Sequence, residues 1–233
     1  MMEKPYKHKY FSILGDSIST FEGFSEPKTA VYYDKDKKLS HGVYTYMDTW
    51  WGQVIERFEG ELLVNNSFSG SKVVKDPFCE YPSYACSDER TSSLDKDGIS
   101  PDVIMVYMGT NDWGAGVKVT PNANVKVNHQ DITIFSIAYQ TMLEKLQANY
   151  PDTEIWCMTL PRCVRKDGVA YSSHPAGREI EEYCQVIREC AERFGCRLVD
   201  LYRAVETYDS KDGAHPNGNG MRTIANAVIH EIE

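Results

Sequence analysis

The feature that most constrains the fold of this chain is its alternation of short apolar runs with longer segments of helical periodicity. In such a chain each short run is a buried strand, and each longer segment is a helix that leads to the next parallel strand. The runs occur at Tyr10–Leu14, Glu61–Asn65, Val103–Met108, Glu154–Thr159 and Cys196–Asp200. The pattern predicts an α/β fold with a parallel sheet of about five strands.

The longer segments have apolar residues at steps of three and four, which places those residues on one face of a helix. The predicted helices are Trp50–Phe58, Asp131–Asn149, Arg178–Phe194 and a segment that follows Pro216. Gly195 is expected to end the third of these helices, because glycine readily adopts the left-handed conformation found at helix ends.

The length and charge of the chain limit the classes of protein to which it can belong. Its 233 residues suffice for one core, and no linker-like stretch divides them, so we expect a single domain over residues 1–233. The formal net charge of −9 argues against a nucleic-acid partner, because neutralising phosphates requires a basic surface. The charged N-terminus is unlike an export signal and no long apolar run occurs, so we expect a cytoplasmic protein without a membrane partner.

The cysteines and histidines give no sign of a disulfide framework or a metal site. Seven cysteines, an odd number, form no C-x-x-C pair, which favours core thiols in a reduced compartment. The six histidines are scattered, and none has the spacing typical of metal ligands. We therefore expect no metal.

The longest connections follow the first four predicted strands, at 19–45, 66–100, 113–130 and 160–177. In an open parallel sheet they all emerge at the carboxyl edge, where ligands bind in such folds. Aromatic residues in or beside these connections could stack on the faces of sugars, or could pack the loops themselves. They are Tyr32, Tyr33, Tyr44, Tyr46, Trp50, Trp51, Tyr81, Tyr84 and Trp113.

Two short motifs at that edge contain a serine and a histidine. The tripeptide Gly15–Ser17 follows the first strand, where the Ser17 hydroxyl is either exposed for chemistry or caps the next helical turn. Asp212 stands three residues before His215, in the loop that precedes the last helix. That spacing lets the carboxylate contact the imidazole and orient it, although a loop histidine can also be a plain surface residue.

Two further motifs supply hydrogen-bond donors. Gly70 ends the sequence Ser67–Gly70 after the second strand, where a backbone N–H can approach a ligand closely. Asn111 follows the third strand and has an amide that could donate to a developing oxyanion. In a purely structural role, Gly70 would be a turn glycine and Asn111 would form an Asx turn.

The chain resembles the SGNH hydrolase superfamily, also called GDSL-like lipases and esterases. The resemblance lies in the order Ser17, Gly70, Asn111, His215 and in the motifs that contain these residues. The resemblance implies a flavodoxin-like, three-layer α/β/α sandwich. It further implies Ser17 as nucleophile, His215 as general base oriented by Asp212, and an oxyanion hole formed by the N–H groups of Ser17 and Gly70 and the Asn111 amide. The first motif reads GDSIS rather than GDSL, and the second, NNSFSG, has a single glycine, which leaves the path of that loop open.

The implied activity is hydrolysis of carboxylic esters through an acyl-enzyme, without a cofactor. The expected substrate is a small-molecule or carbohydrate ester with a short acyl group such as acetyl. An acyltransferase with the same site, or a non-catalytic module that binds a carbohydrate or an anion, remains open. No G-x-S-x-G elbow or phosphate-binding glycine motif occurs, which disfavours an α/β-hydrolase and a nucleotide-binding protein.

Overall fold

A computed structural model describes residues 5–25, 30–75, 83–120, 131–164, 170–171 and 177–233. The strands are β1 Tyr10–Gly15, β2 Glu61–Ser67, β3 Val103–Tyr107, β4 Glu154–Met158, β5 Cys163–Val164, β6 Ala170–Tyr171 and β7 Arg197–Val199. The helices are α1 Lys37–Ser40, α2 Trp50–Arg57, α3 Asp88–Thr91, α4 Thr110–Gly114, α5 Phe135–Asn149, α6 Ile180–Phe194, α7 Leu201–Ala204 and α8 Gly218–Ile232. Short 3₁₀ turns are formed by Ser17–Ser19 and Tyr46–Asp48.

The central sheet contains five parallel strands in the order β2-β1-β3-β4-β7. Each of these strands coincides with one of the five apolar runs, so the predicted α/β fold and strand number are confirmed. The strand order reverses between β1 and β3. At such a switch point the connections on the carboxyl side diverge and leave a crevice that ligands can enter.

Helices cover both faces of the sheet. Successive residues of a strand point to opposite faces, and β4 illustrates this alternation. The ring of Trp156 packs 6.0 Å from that of Phe58, which directly follows α2. The next residue, Cys157, contacts Tyr139 of α5 instead. Because α2 packs with α8 and α5 packs with α6, the layers form the expected α/β/α sandwich.

The four predicted helices are present as α2, α5, α6 and α8, with small differences at their ends. The largest difference is at α5, which begins at Phe135 rather than at Asp131. The Asp131 carboxylate accepts a hydrogen bond from the Thr133 N–H at 3.3 Å, which holds these residues in a turn before the helix. Gly195 ends α6 with a left-handed φ of 64°, as predicted.

The antiparallel pair of β5 and β6 lies where the sequence predicted only a connection. Each strand has two residues, too few for an alternating pattern to show. The expectation of free core thiols holds for Cys86, Cys157, Cys184 and Cys190, which are unpaired and buried. Cys79 and the side chain of Cys163 lie outside the described residues. Within the described part of the chain, no helix is both long enough and apolar enough to cross a membrane.

Candidate active site

Ser17 lies in a tight turn at the carboxyl end of β1. Asp16 caps this turn, because its carboxylate accepts a hydrogen bond from the Ile18 N–H at 3.0 Å. Ser17 is therefore not the cap, and its hydroxyl is left for other partners. Gly15 must lack a side chain, because a Cβ there would come within 2.6 Å of Ser19.

The predicted nucleophile and base are in direct contact. The Oγ of Ser17 lies 2.8 Å from Nε2 of His215, and Nδ1 of His215 lies 2.7 Å from Oδ2 of Asp212. A carboxylate can only accept, so the imidazole proton is on Nδ1 and the lone pair of Nε2 faces the serine hydroxyl. The fold thus brings all three predicted catalytic residues together, with Ser17 only 6% exposed.

Local hydrogen bonds fix the loop that contains Asp212 and His215. The second carboxylate oxygen of Asp212 accepts the backbone N–H groups of Ala214 at 3.0 Å and His215 at 2.8 Å. The phenol of Tyr208 donates to the Ala214 carbonyl at 2.6 Å. The three-residue spacing therefore forms a small turn around the carboxylate, which holds the imidazole toward the edge of the sheet.

Tyr32 contacts both Asp212 and His215, a role that the sequence did not indicate. Its ring stacks on the His215 imidazole with centroids 3.5 Å apart and an interplanar angle of 9°. Its hydroxyl donates to Oδ2 of Asp212 at 2.6 Å, the oxygen that also accepts from His215. The sequence indicated Tyr32 only as one of several loop aromatics, since no local pattern links it to a residue 180 positions away.

The surroundings favour an anionic carboxylate beside a neutral imidazole. Partial burial alone would raise the pKa of Asp212, but hydrogen bonds from Tyr32 and from two backbone N–H groups hold it well below its usual value. Burial lowers the pKa of His215 below its ordinary value, although the Asp212 charge acts in the opposite direction. Neutral His215 is the form that can accept a proton from Ser17.

Contacts of Asn111 connect the two predicted donor motifs to the segment that contains Ser17. The Asn111 Nδ2 donates to the Ser71 carbonyl at 2.9 Å and lies 3.4 Å from Oδ2 of Asp16. The Asn111 amide therefore links the residue after Gly70 to the residue before Ser17, and it does not form an Asx turn. Gly70 is exposed and has a φ of 78°, a conformation that favours glycine and is also consistent with a turn role. Among the described residues, the N–H groups of Ser17 and Gly70 have no hydrogen-bond acceptor.

The aromatic residues of the loops, which could stack on sugars or pack the loops, differ in burial. Four of the nine candidates are buried: Tyr33, Trp50, Trp51 and Trp113. Tyr44 and Tyr46 are exposed, whereas Tyr81 lies outside the described residues.

In the described ranges, no group of three His, Cys, Asp or Glu side chains is arranged to bind a metal ion. The chemistry available at this edge is that of a hydroxyl, an imidazole and a carboxylate in series.

Comparison with known proteins points to one family. The family model described as GDSL-like Lipase/Acylhydrolase matches residues 9–168. A crystal structure from Bacteroides ovatus described as GDSL-like lipase superposes with a TM-score of 0.73 at 26% identity, covering 97% of this chain and 98% of the other. A similarly described structure from Bacteroides uniformis has a TM-score of 0.71 at 27% identity, with coverages of 97% and 95%.

A carbohydrate acetylesterase from Sinorhizobium meliloti also shares the fold. Its TM-score is 0.64 at 12% identity, and the superposition covers 96% of this chain and 98% of the other. A search of curated proteins gives no match.

Proposed function

Since this chain belongs to the family of GDSL-like lipases and acylhydrolases, we propose that it is a serine esterase with Ser17 as nucleophile, His215 as general base and Asp212 as the residue that orients His215. The observation that carries the proposal is the continuous hydrogen-bond chain from Ser17 Oγ through both imidazole nitrogens to Asp212, with links of 2.8 and 2.7 Å. Contacts of that length allow proton transfer without rearrangement.

The first half of the reaction forms an acyl-enzyme. The Ser17 oxygen attacks the ester carbonyl carbon while its proton passes to Nε2 of His215. The imidazolium is stabilised by Asp212, which stays ionised because its pKa is held low. The tetrahedral intermediate then expels the alcohol, which takes the proton from Nε2, and the acyl group remains on Ser17.

The second half restores the enzyme. Water attacks the acyl carbon and gives a proton to His215, after which the acid leaves and Ser17 regains its hydrogen. In both halves negative charge develops on the former carbonyl oxygen. We propose that the N–H groups of Ser17 and Gly70 and the Asn111 amide stabilise it, as an oxyanion hole does. The contacts of Asn111 on either side of these residues support this assignment.

The proposed substrate is an ester of a short acyl group, with an acetylated carbohydrate as the first candidate. The structural similarity to a carbohydrate acetylesterase supports this choice. The polar side chains of Asp16, Asn111 and Asp212 near Ser17 also support a short acyl group.

Covalent labelling tests the proposal. A fluorophosphonate should add one group to the intact protein, at Ser17, and Ser17→Ala should remove both the labelling and the hydrolysis of p-nitrophenyl acetate. Ser92→Ala is the matched control, since Ser92 is exposed and lies beside α3, and it should keep both. Labelling at another serine, or a hydrolytically active Ser17→Ala protein, would contradict the assignment. Product analysis with an added acceptor alcohol separates hydrolysis from acyl transfer.

A further inference from the structure

A buried arginine lies behind the loops that contain the proposed oxyanion donors. Arg90, in α3, is 5% exposed. Its Nη1 donates to Ser71 Oγ at 2.9 Å and to the Ser83 carbonyl at 2.8 Å, and its Nη2 donates to the carbonyls of Gly15 at 3.0 Å and Asn66 at 2.8 Å. Burying a guanidinium is costly even when it is well bonded, so packing alone gives little reason for an arginine here.

The acceptors of Arg90 belong to the chain segments that meet at the proposed oxyanion hole. Gly15 lies two residues before Ser17, and Ser71 directly follows Gly70. The Ser71 carbonyl in turn accepts the Asn111 amide at 2.9 Å. The guanidinium therefore contacts the segments next to Ser17 and Gly70 directly, and it is linked to Asn111 through Ser71.

The Arg90 charge also acts on the buried carboxyl group of Asp16 and favours its ionised form. Burial raises the pKa of Asp16 to about 7, against the effects of the Ile18 N–H and of the Arg90 charge. One carboxylate oxygen of Asp16 lies 3.4 Å from the Asn111 amide, so an anion there opposes a second negative charge on a substrate oxygen. Burial lowers the pKa of Arg90 only to about 10, so the guanidinium remains charged at neutral pH.

We propose that Arg90 is a positioning residue of the oxyanion hole. Its guanidinium fixes the segments around Ser17 and Gly70 and, through Ser71, the side chain of Asn111. Its charge offsets that of Asp16 when the oxyanion forms. This inference rests on the proposed function. Lysine cannot replace Arg90, because an ammonium is a point charge and lacks the planar fork that reaches four acceptors.

The first test is the kinetics of Arg90→Lys on p-nitrophenyl acetate. We expect kcat to fall about 10-fold with KM changed less than about twofold, because the lost interactions act on the transition state. Arg188→Lys is the matched control, since the Arg188 side chain is 10% exposed and its guanidinium binds Asp200 and Glu181 instead. It should lower the melting temperature without lowering kcat per folded molecule.

A double-mutant cycle with Asn111→Ala distinguishes positioning from general destabilisation. If Arg90 acts through the oxyanion donors, Arg90→Lys should lower kcat by only about threefold in the Asn111→Ala background, since part of what it supports is already gone. Equal losses in both backgrounds, or a loss no greater than that of Arg188→Lys, would overturn the inference.

A less disruptive substitution, Ser71→Ala, tests the proposal if Arg90→Lys does not fold. Ser71→Ala removes one acceptor of the guanidinium and leaves Arg90 in place. It should lower kcat about threefold with the same non-additivity toward Asn111→Ala, and a wild-type kcat would refute the role of Arg90. An inactive wild-type protein whose Ser17 is not labelled would reject the proposed function itself, and the inference with it. An active wild type with additive losses rejects the inference alone.

Discussion

The ring of Tyr32 lies flat against the imidazole of His215, with centroids 3.5 Å apart, while its hydroxyl donates to Asp212 at 2.6 Å. Tyr32 thus contacts the proposed base, His215, through its ring and the orienting residue, Asp212, through its hydroxyl. The two contacts can be separated by substitution, because phenylalanine retains the ring and lacks the hydroxyl.

We predict that Tyr32→Phe moves the acid limb of the kcat/KM profile to higher pH. The hydrogen bond from the Tyr32 phenol partly neutralises the negative charge of the Asp212 carboxylate. Without this hydrogen bond, the carboxylate stabilises protonated His215 more strongly, and the imidazole pKa rises. The shift should be about half a unit to one unit. Since protonated His215 cannot accept the Ser17 proton, activity is lost at a higher pH than in the wild type. The shift is measured from the rates of p-nitrophenyl acetate hydrolysis between about pH 4.5 and 8. Steps of roughly half a pH unit resolve a shift of this size.

The matched control for this substitution is Tyr33→Phe. The Tyr33 hydroxyl donates to the Pro216 carbonyl at 2.7 Å, whereas the Asp212 carboxylate accepts its phenol hydrogen bond from Tyr32. Tyr33→Phe should lower the melting temperature and leave the acid limb in place. An unchanged acid limb in Tyr32→Phe would show that the phenol does not influence the proposed base.

Asn111→Ala should lower kcat by roughly 10²–10³-fold, about 2.7–4 kcal/mol, with little change in KM, as for the loss of one oxyanion donor. Some stability should also be lost, because the amide bonds the Ser71 carbonyl. Kinetics per folded molecule, with a melting curve on the same preparation, separate the two effects. Asn149→Ala, which removes an amide bond to the Thr91 carbonyl at 2.9 Å, should affect only the melting temperature. An unchanged kcat in Asn111→Ala would reject the oxyanion role.

Asp16→Asn should alter how stability depends on pH. The pKa of Asp16 is raised to about 7 by burial, above its value in the unfolded chain. The folded wild type therefore binds more protons than the unfolded chain between about pH 4 and 7, and its stability falls as the pH rises through that window. Asparagine has no such titration and can still cap the turn.

The difference in unfolding free energy, Asp16→Asn minus wild type, should thus increase from pH 4 to pH 7 by an amount on the order of 2–4 kcal/mol. Urea unfolding at several pH values measures this difference, and any constant effect of the substitution cancels from the slope. A difference that stays flat or decreases with pH would show that Asp16 is ionised throughout.

Esters of short acyl groups should be hydrolysed faster than those of long ones. The side chains of Asp16 and Asn111 near Ser17 are polar, and the stacked Tyr32 covers one face of His215. A series of p-nitrophenyl esters from acetyl to decanoyl should have its highest kcat/KM at the short end. A maximum at decanoyl would instead indicate an apolar groove for a fatty acyl chain.

The sequence alone was sufficient to predict the strands of the parallel sheet and the four long helices, but not the order of the strands. Short apolar runs and helical periodicity are local patterns, so they identified all five strands of the sheet and the four long helices, to within a few residues. The connection between Asp212 and His215 was also local, since a three-residue step restricts where the carboxylate can lie. The two-residue strands Cys163–Val164 and Ala170–Tyr171 were too short to give such a pattern.

Contacts between distant segments were decided only by the tertiary structure. The motif order placed Ser17 and His215 at one edge, but their 2.8 Å contact depends on how two loops pack. Tyr32 on His215 and Arg90 behind Gly15 had no signal in the sequence, because a tyrosine or an arginine in a long loop region has many possible neighbours. Periodicity determines which face of an element is buried, whereas side chains far apart in the chain meet only once the whole core has fixed the paths of the loops between them.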